Sequence, residues 1–188
     1  AAHEVFHFNN DPKGATNALA EINRLAGIRG WAYRNAPDLI VLGRTALKLD
    51  ADPKLVLDKL YHPAREHDPN FAGTAQAIGD LALSKSDYEL AGRTFQLALK
   101  RYPKNADLHF GAARAFAPSD GKTMTQHLQA TLTANPNHAG ARLLMADRLI
   151  DREAYDEAET QLSKVLAVNP HHPEAWAYRG VIAHLRAD

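Results

Sequence analysis

Four prolines stand at a near-constant interval. Pro69, Pro103, Pro136 and Pro170 lie in HDPN (67–70), YPKN (102–105), NPNH (135–138) and NPHH (169–172), at spacings of 34, 33 and 34 residues. A period in the thirties constrains this chain more than any local motif. It implies that one supersecondary unit is copied, and that each copy buries its apolar side only against a neighbour.

Each proline follows a stretch with helical spacing. Ala91, Phe95 and Ala98 recur at i, i+4, i+7 ahead of Tyr102-Pro103, and Ala158, Leu162 and Val165 ahead of Asn169-Pro170. That is one face of a 3.6-residue period. Proline has no backbone N–H to continue the ladder and so ends it. A second helical stretch precedes each of these, as in FAGTAQAIGDLALS before DYELAGRTFQLALKRY and HAGARLLMADRLID before AYDEAETQLSKVLAV. A lone helix, PEAWAYRGVIAHLRAD, closes the chain. The fold class expected is all-α, built as helix–turn–helix repeated.

The residues carrying this pattern resemble the tetratricopeptide repeat, a 34-residue unit with W-x2-L-G-x2-Y, then A-x3-F, then P. Leu39, Leu42 and Gly43 fill first-helix positions of one unit, and Ile78 and Gly79 those of the next. Trp176 and Gly180 stand four apart in the last helix, and Ala91-x3-Phe95 and Ala158-x3-Leu162 supply the second-helix pair. The resemblance implies a right-handed superhelical solenoid of antiparallel helix pairs. It implies a single array over 1–188: a degenerate unit and irregular connection at 1–35, repeats at 36–70, 71–104, 105–137 and 138–171, and a terminal helix at 172–188. Within 1–35, Ala15, Leu19 and Ile22 hold the second-helix register, while GIRGWAYRN (27–35) has no assigned role. Close helix crossings should place Gly43, Gly79, Ala146 and Gly180 against small residues, with Phe95, Leu128 and Leu162 filling space toward the next unit. Met124 and Thr131 depart from the small residues expected there, APSD (117–120) ends one first helix early, and Pro63 should kink or shorten another.

Composition removes several functions. Lysine plus arginine and aspartate plus glutamate number 22 each, with no basic run, so no nucleic-acid partner is expected. There are 0 cysteines, which excludes disulfides, thiolate metal sites and a cysteine nucleophile. No stretch approaches the ~20 apolar residues of a membrane helix, so no membrane insertion is expected. The chain starts at Ala1 without methionine, and we read it as a segment of a longer protein. The compartment stays open.

One motif argues for an enzyme. HEVFH (3–7) matches H-E-x-x-H, in which His3 and His7 would ligate zinc on one helix face and Glu4 would act as base. A catalytic zinc needs a third protein ligand. The continuation that would supply one calls for glycine at 10 and histidine at 13, where Asn10 and Lys13 stand, and Glu21 lies too close in sequence for the alternative spacing. We therefore expect no metal and no cofactor, with Val5 and Phe6 packing and the histidines outward. Phosphate loops and nucleophile elbows are absent from the sequence. The chain is expected not to be an enzyme. The last repeat and terminal helix also resemble large bacterial proteins that pair such arrays with a peptidase-like module, which would lie outside this segment.

The resemblance implies a protein-interaction scaffold whose first helices line a groove for a peptide or partner helix. By that alignment the groove row holds Ile40, Arg44 and Leu47; Gln76, Asp80 and Leu83; Asp107, Phe110 and Arg114; Leu143, Asp147 and Ile150. The partner-binding candidates are Arg44, Gln76, Asp80, Phe110, Arg114, Leu143 and Asp147. Phe110 beside Arg114 is the expected anchor, with packing inside the stack as its alternative. The row lacks the basic clamp with which the family binds chain-terminal carboxylates. Self-association through exposed terminal helices is a third reading.

Overall fold

The structure is a computed structural model that describes residue 5, residues 9–28 and residues 35–187, except for the side chains of residues 23 and 25–28. The described residues form ten helices and no strand. They group into two compact units, Ala1–Ser86 and Asp87–Asp188.

The first unit holds α1 (Pro12–Ile28), α2 (Ala36–Lys48), α3 and α4 (Ala72–Ser84). Helix α3 is one continuous run made of Pro53–Val56, a π-helical turn Leu57–Tyr61 and His62–His67. Caps set the starts. Asn35 accepts from Asp38 N at 2.9 Å, Asp52 from Lys54 N at 2.8 Å, and Asp11 from Gly14 N at 2.8 Å just before α1. Ala15 and Leu19 are buried on α1, in the register expected, with Ile22 half-buried. Ala36, Leu39 and Ile40 of α2, Val56, Tyr61 and Ala64 of α3, and Ala77, Ile78 and Leu81 of α4 make one core.

Pro63 does not shorten α3. Met124, Leu128 and Thr131, and Ala158, Leu162 and Val165, are buried at i, i+4, i+7 of later second helices, but here the buried residues are Val56, Tyr61 and Ala64, spaced i, i+5, i+8. The π turn absorbs the extra residue, and His62 N–H reaches back five residues to Leu57 O. Proline would remove one α-type bond and press its ring on the carbonyl four residues back; a widened turn directly before it relieves both demands.

The second unit holds α5 (Tyr88–Arg101), α6 (Ala106–Phe116), α7 (Gly121–Ala134), α8 (Ala139–Ile150), α9 (Tyr155–Val168) and α10 (Pro173–Leu185). Successive pairs α5–α6, α6–α7, α7–α8, α8–α9 and α9–α10 pack together, and α10 also touches α8. Asp87, Asn105 and Asp120 cap α5, α6 and α7 through Leu90 N, Leu108 N and Thr123 N, each at 3.0 Å. Met124 and Thr131, the departures from the small-residue pattern, are both buried. The Thr131 hydroxyl is satisfied by His127 O at 2.9 Å, with Ala106 O at 3.4 Å.

The proline phrases are four copies of one turn. Phe71 N donates to Asp68 O, Asn105 N to Tyr102 O, His138 N to Asn135 O and His172 N to Asn169 O, at 3.1–3.2 Å. Proline occupies the second position of each, where its fixed φ suits the turn. In three of them the residue before proline also caps the residue after it: Asp68 to Asn70 N at 2.9 Å, Asn135 to Asn137 N at 3.0 Å and Asn169 to His171 N at 3.1 Å. Tyrosine at 102 has no carbonyl side chain to do so.

Glycine supplies close approach, though not always to small partners as expected. A β-carbon on Gly43 would collide with the Tyr61 ring, and one on Gly111 with the Phe95 ring. Phe95 fills space against the next repeat, as expected. Gly180 has nothing within 4 Å of such a β-carbon. Ala146 and Ala158 share one core with Leu143, Leu162, Val165, Leu166, Ala175 and Ile182.

Candidate functional site

The first unit contains a cavity of about 940 Å³. Its walls come from α1 (Leu19, Ile22), α2 (Val41, Arg44, Leu47) and α4 (Ala77, Asp80, Leu81), with Tyr61 of α3 beneath. The helix period explains the set. Val41, Arg44, Thr45 and Lys48 stand three or four apart on α2, and Ala77, Asp80, Leu81 and Ser84 on α4, so each helix turns one stripe to the cavity. The floor is apolar and the rim charged, the usual make-up of a binding site.

Tyr61 lines the cavity together with Arg44 and Asp80. Its ring is buried against Gly43, and burial pushes its hydroxyl up to about 12; the Arg44 charge acts to lower it and the Asp80 charge to raise it. Gln76 Nε2 donates to Asp80 Oδ2 at 3.1 Å and fixes that carboxylate, while Gln76 Oε1 is buried without a partner among the described residues. Thr45 and Ser84 return their hydroxyls to the backbone at Val41 O and Leu81 O, 2.9 and 2.7 Å away. Among the described residues no constellation of nucleophile and base lines this cavity.

The other candidates scatter. Ile40 and Leu143 are core residues, 3% and 5% exposed. Each first helix packs on more than one neighbour, so the stripe left for solvent is narrower than the alignment assumed, and Leu143 is enclosed in the α8–α9 hairpin. Leu83 is likewise buried. Asp147 accepts from the Tyr178 hydroxyl at 3.1 Å and helps to hold α10 on α8. Phe110 is half-buried. Its ring lies 4.6 Å from that of His138, sits over Gly140, and carries the Arg114 guanidinium 5.9 Å above its face. Packing is thus its visible role, with Arg114 the exposed member of the pair. Asp107 is exposed and faces His138 Nε2 at 3.5 Å.

His3, Glu4, Phe6 and His7 lie outside the described residues. Val5, expected to pack, is 57% exposed. Among the described residues no three histidine, aspartate or glutamate side chains gather where they could hold a metal ion, and no helix is long and apolar enough to cross a membrane. Sequence reasoning missed Tyr61 and the α1 wall. The signal for Tyr61 was Gly43, a notch deep enough to take a ring.

Helix hairpins joined by copied proline turns, locked by glycine or alanine against larger side chains, define a helical-repeat protein. The repeats are tetratricopeptide repeats: two models of that family match, over residues 77–122 and 125–182. No curated protein matches the chain. Among solved structures it is similar to TTC0263, a thermophilic tetratricopeptide-repeat protein of Thermus thermophilus, at 18% identity over 97% of this chain and 94% of that one, TM-score 0.68. It is similar to YrrB, a tetratricopeptide-repeat protein with an unusual peptide-binding site, at 22% identity over 88% and 84%, TM-score 0.57. It is also similar to the Cut9–Hcn1 hetero-tetramer of the APC/C, at 18% identity over 96% of this chain and 34% of that one, TM-score 0.66. These likenesses are of fold.

Proposed function

We propose that this chain is a protein-interaction scaffold that holds a peptide segment of a partner protein in the cavity of its first unit. The observation that carries the reading is the cavity itself: about 940 Å³, apolar in its floor, with Arg44 and Asp80 at its rim. Aliphatic floor and polar rim suit a peptide, whose side chains enter the floor while its backbone meets the rim. Equal numbers of acidic and basic residues favour a protein partner over nucleic acid. The fold is one that YrrB uses around a peptide-binding site and that a chain of the Cut9–Hcn1 hetero-tetramer uses within a complex.

The test is retention of a random library of N-acetylated, C-amidated octapeptides on immobilised protein. Wild type retains a subset, and Val41→Trp, at an exposed wall position, abolishes retention while the helical circular dichroism is unchanged. No retention by wild type, or retention indifferent to Val41→Trp, contradicts the reading.

A further inference from the structure

The charges around the first-unit cavity are unevenly satisfied. Glu21 accepts from two guanidinium nitrogens of Arg24, Nε and Nη2, at 2.7 Å each, and Asp80 accepts from Gln76. Arg44 is exposed at the rim and makes no hydrogen bond or ion pair with another described residue. A guanidinium is a planar fork of donors that matches a carboxylate in two parallel bonds. One turn along α2, Leu47 enters the same cavity, and Leu81 and Ala77 face it from α4.

The spacing of these features fits a peptide. Residues three apart on a helix have β-carbons about 5–6 Å apart. Alternate side chains of an extended peptide, on one face, repeat at about 6.6 Å. Arg44 and Leu47 thus address two side chains of one extended segment, two positions apart. Asp80, already anionic, disfavours a second acid across the floor.

We propose that the partner segment carries an aspartate or glutamate two residues from a leucine, isoleucine or phenylalanine, the acid docking on Arg44 and the apolar side chain entering the floor at Leu47 and Leu81. This rests on the peptide-scaffold reading above and adds the chemistry of the ligand. The acid meant is a side chain, not a chain terminus.

A positional-scanning library of blocked octapeptides tests it. Wild type selects an acid two positions from an aliphatic or aromatic residue, and Arg44→Glu switches that position to lysine or arginine. For the best fluorescein-labelled peptide, Arg44→Gln weakens binding about ten-fold, the worth of one charge-assisted contact. Melting temperatures close to wild type for both variants exclude a folding defect. Selection of apolar residues without an acid, an acid preference that survives Arg44→Glu, or retention only of peptides with a free carboxyl terminus overturns the inference and leaves the scaffold reading standing. No retention of any library overturns both.

Discussion

The indole Nε1 of Trp176 donates to the carbonyl oxygen of Pro170 at 2.8 Å. The same bond recurs six residues after the other two turn prolines of the second unit: Arg142 Nε to Pro136 O at 2.9 Å and His109 Nε2 to Pro103 O at 3.0 Å. Three unlike side chains therefore perform one task, fastening each first helix to the turn that precedes it. Trp176 is half-exposed, so its bond stands near the middle of the usual net range of ~0.5–1.5 kcal/mol. Trp176→Phe keeps the ring and loses the donor. Urea unfolding should show a loss of about 1 kcal/mol, and an unchanged midpoint would remove the bond from the account.

Three helical glycines should answer differently to one substitution. Alanine gains ~1 kcal/mol of helix propensity over glycine. At Gly43 and Gly111 the added methyl meets the Tyr61 and Phe95 rings, and overpacking of ~1–3 kcal/mol outweighs that gain. At Gly180 the methyl meets nothing. Thermal melts should show Gly43→Ala and Gly111→Ala lowered and Gly180→Ala raised.

Glu153 stands at φ 60°, between α8 and α9, and Asp50 holds φ 60° between α2 and α3. Left-handed backbone costs an ordinary L-residue roughly 1–2 kcal/mol, while glycine loses part of that advantage as chain entropy. Glu153→Gly should raise the melting temperature slightly, and Glu153→Val, β-branched, should lower it. Equal melting of the two variants would show that this turn stores no strain.

A histidine pair links pH to stability. His109 Nε2 donates to Pro103 O, so His109 Nδ1 is the acceptor and His127 Nδ1–H the donor across their 2.9 Å contact between α6 and α7. Burial first, and then the neighbouring His109, hold His127 below its ordinary 6.5. A base depressed by folding contributes stability that is complete above the unfolded value and is lost as pH falls below about 6.5. Between pH 7.5 and 5, wild type should lose more melting temperature than His127→Phe, which lacks the titrating group. Parallel losses would assign the pH dependence to other residues.

The helices and their order were legible because each proline marks a turn and each apolar stripe has one period. The second-helix register of α3 was not. Leu57, Tyr61 and Ala64 offer an ordinary i, i+4, i+7 face, yet the structure buries Val56 with Tyr61 and Ala64 and leaves Leu57 partly exposed. Both registers are apolar, and Pro63 decides between them by requiring a wide turn. Arg44 and Asp80 were legible as neighbours of one surface because both sit at first-helix positions. Leu143 was misplaced because an aligned position records direction from the helix axis, not how many neighbours crowd it. Tyr61 was missed because a glycine's notch and the ring that fills it are far apart in sequence.

The claim that most needs testing is that the first-unit cavity receives the peptide. Amide chemical shifts of isotope-labelled protein, followed as a retained blocked octapeptide is added, test it most directly. The account predicts saturable shifts concentrated on α2 and α4, around Arg44, Leu47, Ala77 and Leu81. Shifts confined to residues 87–187, with those amides unmoved, would contradict it.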